Sequence, residues 1–235
     1  MINIFPFKSL GNHDYGWLNA RYHFNFANYF QLNKGGYPPL IVWNDDQIQP
    51  GTGFPMHSHK NMEIITYVRK GAISHEDSLG NRGVTRAGEI QIMSAGSGIT
   101  HSERNDEKVE TSLFQIWLQP NVINVEPRWE TVTTILESET KMNVLATGQE
   151  ENRSSDLLHI YQDATLYLIK GRKSESLDHV LDEQRQVYFV VSDGNLLLNN
   201  NKVEKRSGVF IYEEKLLHFN FLDNTEVVLL DLQKL

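Results

Sequence analysis

His57 and His59, in FPMHSHKNMEI (54–64), stand one residue apart. On a strand, residues i and i+2 share a face, so this H-x-H pair sets two imidazoles side by side. That arrangement suits two adjacent positions on one metal ion. Glu63 has the same parity and joins that face if the strand runs on without a bulge. A second i,i+2 pair, His101 and Glu103, lies in SAGSGITHSERN (94–105). The glycines before it let the chain turn sharply and approach another strand closely. Two such strands converging on one ion offer three imidazoles and one carboxylate. This set suits Fe(II), Mn(II), Co(II), Ni(II), Cu(II) or Zn(II) and leaves positions for water, substrate or O2. Parity does not separate Glu63 from Glu103 as the carboxylate. The H-x-H taken alone is weak evidence and reads more readily as polar residues on an exposed strand.

The elements that must position these residues are short strands. RYHFNF (21–26), EIITYV (63–68), SLFQIWLQ (112–119), ATLYLI (164–169), QVYFVV (186–191), VFIY (209–212) and EVVLLDL (226–232) alternate or are β-branched. Turn signals separate them: NKGGYPP, DSLGNRG, SAGSG, SDGN and NNN. This predicts an all-β sandwich or barrel. PRWETVTTILESETKMN (127–143) is the least strand-like piece, and reads as a linker or a short helix. The pattern suggests two β halves joined near 120–145. A faint repeat supports this: ITYVRKG and RAG in the first half correspond to YFVVSDG and RSG in the second.

Composition narrows the chemistry. The 235 residues, 40% of them hydrophobic, suffice for one large β domain or two small ones. There is no cysteine, which excludes disulfides, thiolate catalysis and Cys-held zinc or iron–sulfur centres. Any metal must be held by His, Asp and Glu, and any redox sensing must sit at the metal. The net charge is −8, and the nearest approach to a basic cluster is KVEKRSG (202–208), so no direct nucleic-acid contact is expected. MINIFPFKSLGNHD lacks the basic start and apolar run of a signal peptide. No stretch approaches the roughly 18 apolar residues of a membrane span. A soluble cytoplasmic protein without membrane contact is expected.

The run Gly51-x5-His57-x-His59-x3-Glu63-x7-Gly71 resembles the first cupin motif, and Gly98-x2-His101-x3-Asn105 the tail of the second. HSHKNMEIITYVRKGAISHEDSLGNRG followed by GEIQIMSAGSGITHSE resembles the pirin family in its H-x-H-x3-E, H-x-D-S-x-G, Q-x-M-x-A-G-x-G and H-S-E elements. The likeness is dense over 50–105, extends upstream through NHDYGWLNARYHF (12–24) and is thin after 120. The general second motif carries Pro-x-Gly, whereas this chain has Gly88-x7-Gly96-x-Gly98, which fits pirins.

The resemblance implies a bicupin: two face-to-face β-barrels with few short helices. The N-terminal metal-binding domain would span 1–125, a linker or short helix 126–145, and a C-terminal cupin domain lacking metal ligands 146–235. By the same resemblance the ligands are His57, His59, His101 and Glu103. Glu63, a ligand in many other cupins, becomes a neighbour of the metal or an alternative ligand. Aligning Gly71 with Gly194 leaves His179 one position out of step with the first-barrel ligands, and thus on the opposite face. His179 and His218 therefore read as surface or packing residues. The expected cofactor is one divalent transition metal, with iron first and copper, nickel, cobalt, manganese and zinc open.

Some bacterial pirins are similar to quercetin 2,3-dioxygenases, which cleave a flavonol with O2 and release CO. This implies a flavonol or related phenolic substrate, O2, and Glu103 as the catalytic base. The alternative is a non-enzymatic, iron-binding, redox-responsive pirin acting through a protein partner; a third is a cupin storage or isomerase protein. A monomer is expected. His75 is expected to line the pocket or orient a ligand, or else to be a polar strand residue. His13 and Trp17 are placed over the cavity mouth, with packing the more ordinary role for Trp17. Met93 is expected in the core and RYHFNF as a packed strand.

Overall fold

The computed structural model describes residues 1–133, 139–149, 154 and 157–234. It divides into two compact units. One comprises Gly11–Ile135 with Ile160–Gln162; the other comprises Met1–Leu10, Leu136–His159 and Asp163–Leu235. The first strand is β1 (Ile2–Phe5). The unit starting at Gly11 then runs β2 (Gly11–Asp14), β3 (Leu18–Tyr22), β4 (Leu40–Ile48), β5 (Gly53–His59), β6 (Glu63–Lys70) and β7 (Ala72–Asp77). It continues with β8 (Arg82–Arg86), β9 (Glu89–Ser94), β10 (Ile99–Arg104), β11 (Thr111–Leu118) and β12 (Arg128–Thr133). The other unit adds β13 (Lys141–Thr147), β14 (Leu158–His159), β15 (Ala164–Gly171), β16 (Ser176–Val180) and β17 (Arg185–Asp193). It ends with β18 (Leu196–Leu198), β19 (Asn201–Val203), β20 (Gly208–Tyr212), β21 (Leu216–Phe221) and β22 (Thr225–Gln233). A single 3-10 turn, Phe7–Ser9, is the helical element among the described residues. No helix there is long and apolar enough to cross a membrane.

The two units share one topology. In the first, a seven-stranded sheet β12-β9-β6-β11-β4-β3-β2 accompanies a four-stranded sheet β5-β10-β7-β8. In the second, β1-β20-β17-β22-β15-β13-β14 accompanies β16-β21-β18-β19. The inner strands β9-β6-β11-β4-β3 correspond to β20-β17-β22-β15-β13, while the outermost differ, β2 pairing antiparallel with β3 and β14 parallel with β13; the faint repeat around Gly71 and Gly194 reflects a duplicated architecture. Each seven-stranded sheet is completed at one edge by a strand from outside its own meander, β12 in one and β1 in the other. The segment read as a linker or short helix is therefore partly strand. Thr131, Val132 and Thr133 are β-branched and pair with β9 from Gln91 to Glu89. Residues 134–138 lie outside the described residues.

β3 alternates buried and half-buried residues along Leu18, Asn19, Ala20, Arg21 and Tyr22. β4 and β6 are buried almost throughout because both faces are covered. In the first unit, Leu18, Ala20, Tyr22, Ile48, Val68, Ile73 and Leu113 form one apolar cluster. Ile64, Met93, Ala95 and Ile99 form another, so Met93 is core as expected. A polar row crosses the same sheet face. Register sets Tyr22 opposite Asn44, Asn44 opposite Gln115, Gln115 opposite Thr66 and Thr66 opposite Gln91. All five are buried.

Gly53 shows what close approach this arrangement requires. A Cβ there would collide with the Glu103 carbonyl oxygen and lie 2.6 Å from Arg104 Cα. The β5–β10 register also shifts between His101 and Glu103. Gly53→Ala must push β5 off β10, and an expected loss of about 1–2 kcal/mol is readable by urea unfolding.

Candidate metal centre

The four-stranded sheet of the first unit turns alternate residues inward. From β5 these are His57 and His59; from β10, His101 and Glu103; from β7, His75 and Asp77. The β5–β10 ladder pairs His101 directly with His57. The ring centroids of His57 and His101 are 4.5 Å apart, those of His57 and His59 4.8 Å, and those of His59 and His101 5.1 Å. One nitrogen from each ring lies within 4.8 Å of the others, and this is the one such group of three or more potential ligands found among the described residues.

The state of the nitrogens fits a metal. His57 Nδ1–H donates to the Pro55 carbonyl at 2.8 Å, which leaves Nε2 with a free lone pair. His59 Nε2 and both ring nitrogens of His101 are buried without a hydrogen-bond partner. Buried polar atoms are nearly always satisfied, because leaving one unpaired costs about 1–3 kcal/mol. An ion held by one nitrogen of each ring would account for His59 Nε2 and for one of the two His101 nitrogens. Burial, then repulsion from His57, pulls His59 down to about 4. Burial, then His57, His59 and His75, pulls His101 to about 3 against the opposing pull of Asp77. Both imidazoles are thus neutral at physiological pH, the form that ligates metals.

Glu103 is 2% exposed and faces the same interior, but it is not within the 4.8 Å group. Its Oε1 accepts from Gln91 Nε2 at 2.6 Å and from Thr66 Oγ1 at 3.4 Å; its Oε2 accepts from Gln115 Nε2 at 2.7 Å. Burial raises its pKa, opposed by His75, Gln115, His57 and Thr66. Of the roughly four lone-pair sites on the carboxylate, Oε1 uses its two and Oε2 keeps one beyond these bonds. Gln91 opens the Q-x-M-x-A-G-x-G element but was given no role from the sequence, and Gln115 and Thr66 escaped it altogether. The signal for those two is a polar residue at an inward position of an otherwise apolar strand.

Glu63 is not on this face. β5 ends at His59, Asn61 adopts φ +49° in the turn, and β6 starts at Glu63 in the other sheet. Its Oε2 accepts from Ser94 Oγ at 2.9 Å and from the Tyr161 backbone N–H at 3.2 Å. His75 is buried beside His101, 5.4 Å between centroids, with Nε2 bonded to Asp77 at 3.0 Å. His179 is turned inward rather than outward: its ring lies 5.8 Å from Tyr167, and Nε2 is 3.9 Å from Asp231. His218 is half-buried and paired with Asp178.

A cavity of about 290 Å³ reaches two of the three histidines, its lining including Tyr15, Trp17, Phe54 and Trp117 together with His57, His59 and Gln115. Trp17 packs edge-on against Phe54 at 5.1 Å, and Trp117 meets His59 at 5.0 Å. His13 is outside this wall, its ring tilted 31° against that of Tyr15 with centroids 4.0 Å apart.

Residues 6–118 match the family described as Pirin, and residues 145–232 the one described as Quercetinase C-terminal cupin domain. A Caulobacter vibrioides "pirin-like protein" is 41% identical over 232 residues, 98% of this chain and 99% of that one. An Escherichia coli K12 protein named quercetin 2,3-dioxygenase is 37% identical over 233 residues, 99% of both. The crystal structure of the bacterial pirin YhhW from Escherichia coli in complex with nickel(II) superposes with a TM-score of 0.93 at 36% identity, covering 100% of both chains. With its duplicated all-β architecture, its histidine triad and relatives matched from end to end, the chain belongs to the pirin family, a bicupin branch of the cupins.

Proposed function

We propose that this protein is a metal-dependent dioxygenase that cleaves flavonols such as quercetin with O2, releasing CO. The observation that carries the reading is an aromatic-walled cavity lined by His57 and His59, whose rings group with His101, the buried nitrogens of His59 and His101 being unpaired. The full-length likeness to proteins named quercetin 2,3-dioxygenase supports it. The aromatic walls also favour a small flat substrate over a role confined to a protein partner.

We take His57, His59, His101 and Glu103 as the residues that hold the ion. When bound, the ion supplies Lewis acidity that lowers the pKa of a flavonol 3-hydroxyl. The donor set accepts iron, copper, nickel, cobalt, manganese or zinc, and iron is our proposed resident ion. We assign no ligand group to the second unit. Tyr15, Trp17, Phe54 and Trp117 bind the flat rings of the substrate and exclude water from the triad. Glu103 takes the 3-hydroxyl proton. Its burial strengthens it as a base, and the amides of Gln91 and Gln115 hold it in place.

Anaerobic purification with metal analysis, followed by O2 uptake and CO release with quercetin, tests the reading. Turnover with at least one reconstituted metal is expected; none with any of the six refutes it. Glu103→Gln is expected to lower turnover about tenfold or more. Full turnover with full metal occupancy in that variant removes Glu103 from both roles.

A further inference from the structure

Trp129 lies on β12, in the segment whose sequence reads as a linker, yet it touches two arms of the metal centre. Its indole N–H donates to Gln91 Oε1 at 3.2 Å. Thr85 Oγ1 donates to the same oxygen at 2.8 Å. An indole N–H has no acceptor capacity, so the atom facing it must be the amide oxygen and not the NH2. The Gln91 NH2 is thereby aimed the other way, at Glu103 Oε1 (2.6 Å) and Thr66 Oγ1 (3.3 Å). The polarity of the whole chain of bonds follows from one donor-only group at its outer end.

The face of the same indole stacks on His75, with centroids 4.8 Å apart and planes 8° from parallel. His75 is held at its other side by Asp77 and neighbours His101. Gly83, opposite His75 in the β7–β8 ladder, leaves the space the indole fills. A Cβ at that position would collide with the far edge of the ring and stand 2.9 Å from its Cζ3.

We propose that Trp129 is a positioning residue of the metal centre, acting through Gln91 to orient Glu103 and through its stacked face to hold His75 beside His101. This inference rests on the metal-ligand reading above. Partners one step behind a ligand typically change metal affinity by about 10–100-fold when removed. Trp129→Phe keeps the stacking face and removes the N–H, so it isolates the Gln91 arm.

The test is nickel(II) affinity by competition with a chromogenic chelator, together with the visible spectrum of the cobalt(II) form. Apoprotein melts report any general loss of fold. Trp129→Phe is expected to bind nickel about tenfold more weakly and to shift the cobalt spectrum. Gln91→Met, which deletes the relay, is expected to lose at least as much, and Trp129→Phe adds nothing further in that background. Thr85→Val, which removes the other donor to the same oxygen, weakens nickel in the same direction. Wild-type affinity in Trp129→Phe, wild-type affinity in Thr85→Val, or losses that multiply in the double variant each overturn the relay. Absence of nickel binding by the wild-type protein overturns the metal reading itself, and the relay with it.

Discussion

His101→Leu weakens metal binding by about two orders of magnitude or more and abolishes turnover while making the metal-free protein more stable. His101 is 2% exposed and neither ring nitrogen has a hydrogen-bond partner. Leucine has a similar volume and no polar atom, so the apoprotein is expected to gain about 1–2 kcal/mol, the cost of the unmet nitrogens. Metal affinity falls by at least about 100-fold, since losing a ligand exceeds losing the partner of one. The two effects cross. With nickel at 100 times its dissociation constant, the wild-type protein gains about 2.7 kcal/mol by mass action, and the variant at most about 0.4 kcal/mol. Thermal melts with and without nickel read both quantities in one experiment. A variant that keeps the wild-type nickel-dependent shift, or an apoprotein that melts lower than wild type, makes His101 a packing residue.

That a stability gain is expected on losing function explains why the triad was legible in the sequence. Residues kept against packing stand out, and the i,i+2 spacing of His57 with His59 and of His101 with Glu103 is a local property. Parity survives within β5 and within β10. It does not survive a turn, and this is why Glu63 was misplaced beside the metal by parity: the chain leaves β5 at His59 and re-enters a different sheet at Glu63. His179 failed for a related reason. Its face was inferred by counting back from Gly194 through the turn that separates β16 from β17. The duplicated architecture was visible because paired glycines end equivalent strands in both halves. Gln91, Gln115 and Trp129 were invisible as a group. They meet only through the registers of β12, β9, β6 and β11, and no spacing along the chain encodes those registers.

Glu63→Gln leaves nickel affinity unchanged and alters the pH dependence of stability instead. Glu63 is 1% exposed, and burial pushes its carboxyl from 4.5 up to about 7, against the lowering effects of Ser94, the Tyr161 N–H and Arg128. A carboxyl whose pKa is raised on folding binds more protons in the native state than in the unfolded one. Its contribution is therefore fully present below pH 4.5 and is lost as pH rises through 7. At about 1.4 kcal/mol per pH unit, that window corresponds to roughly 3 kcal/mol. Glutamine keeps an oxygen to accept from Ser94 and Tyr161 and carries no charge to desolvate. The variant is expected to match wild type near pH 4.5 and to exceed it by about 2–3 kcal/mol at pH 8.5. Urea unfolding across that range measures the difference. A parallel offset at every pH would mean that Glu63 does not titrate in this window. A loss of nickel affinity would return Glu63 to the metal, against a geometry that has it accepting from Ser94 of the neighbouring strand and from the Tyr161 backbone.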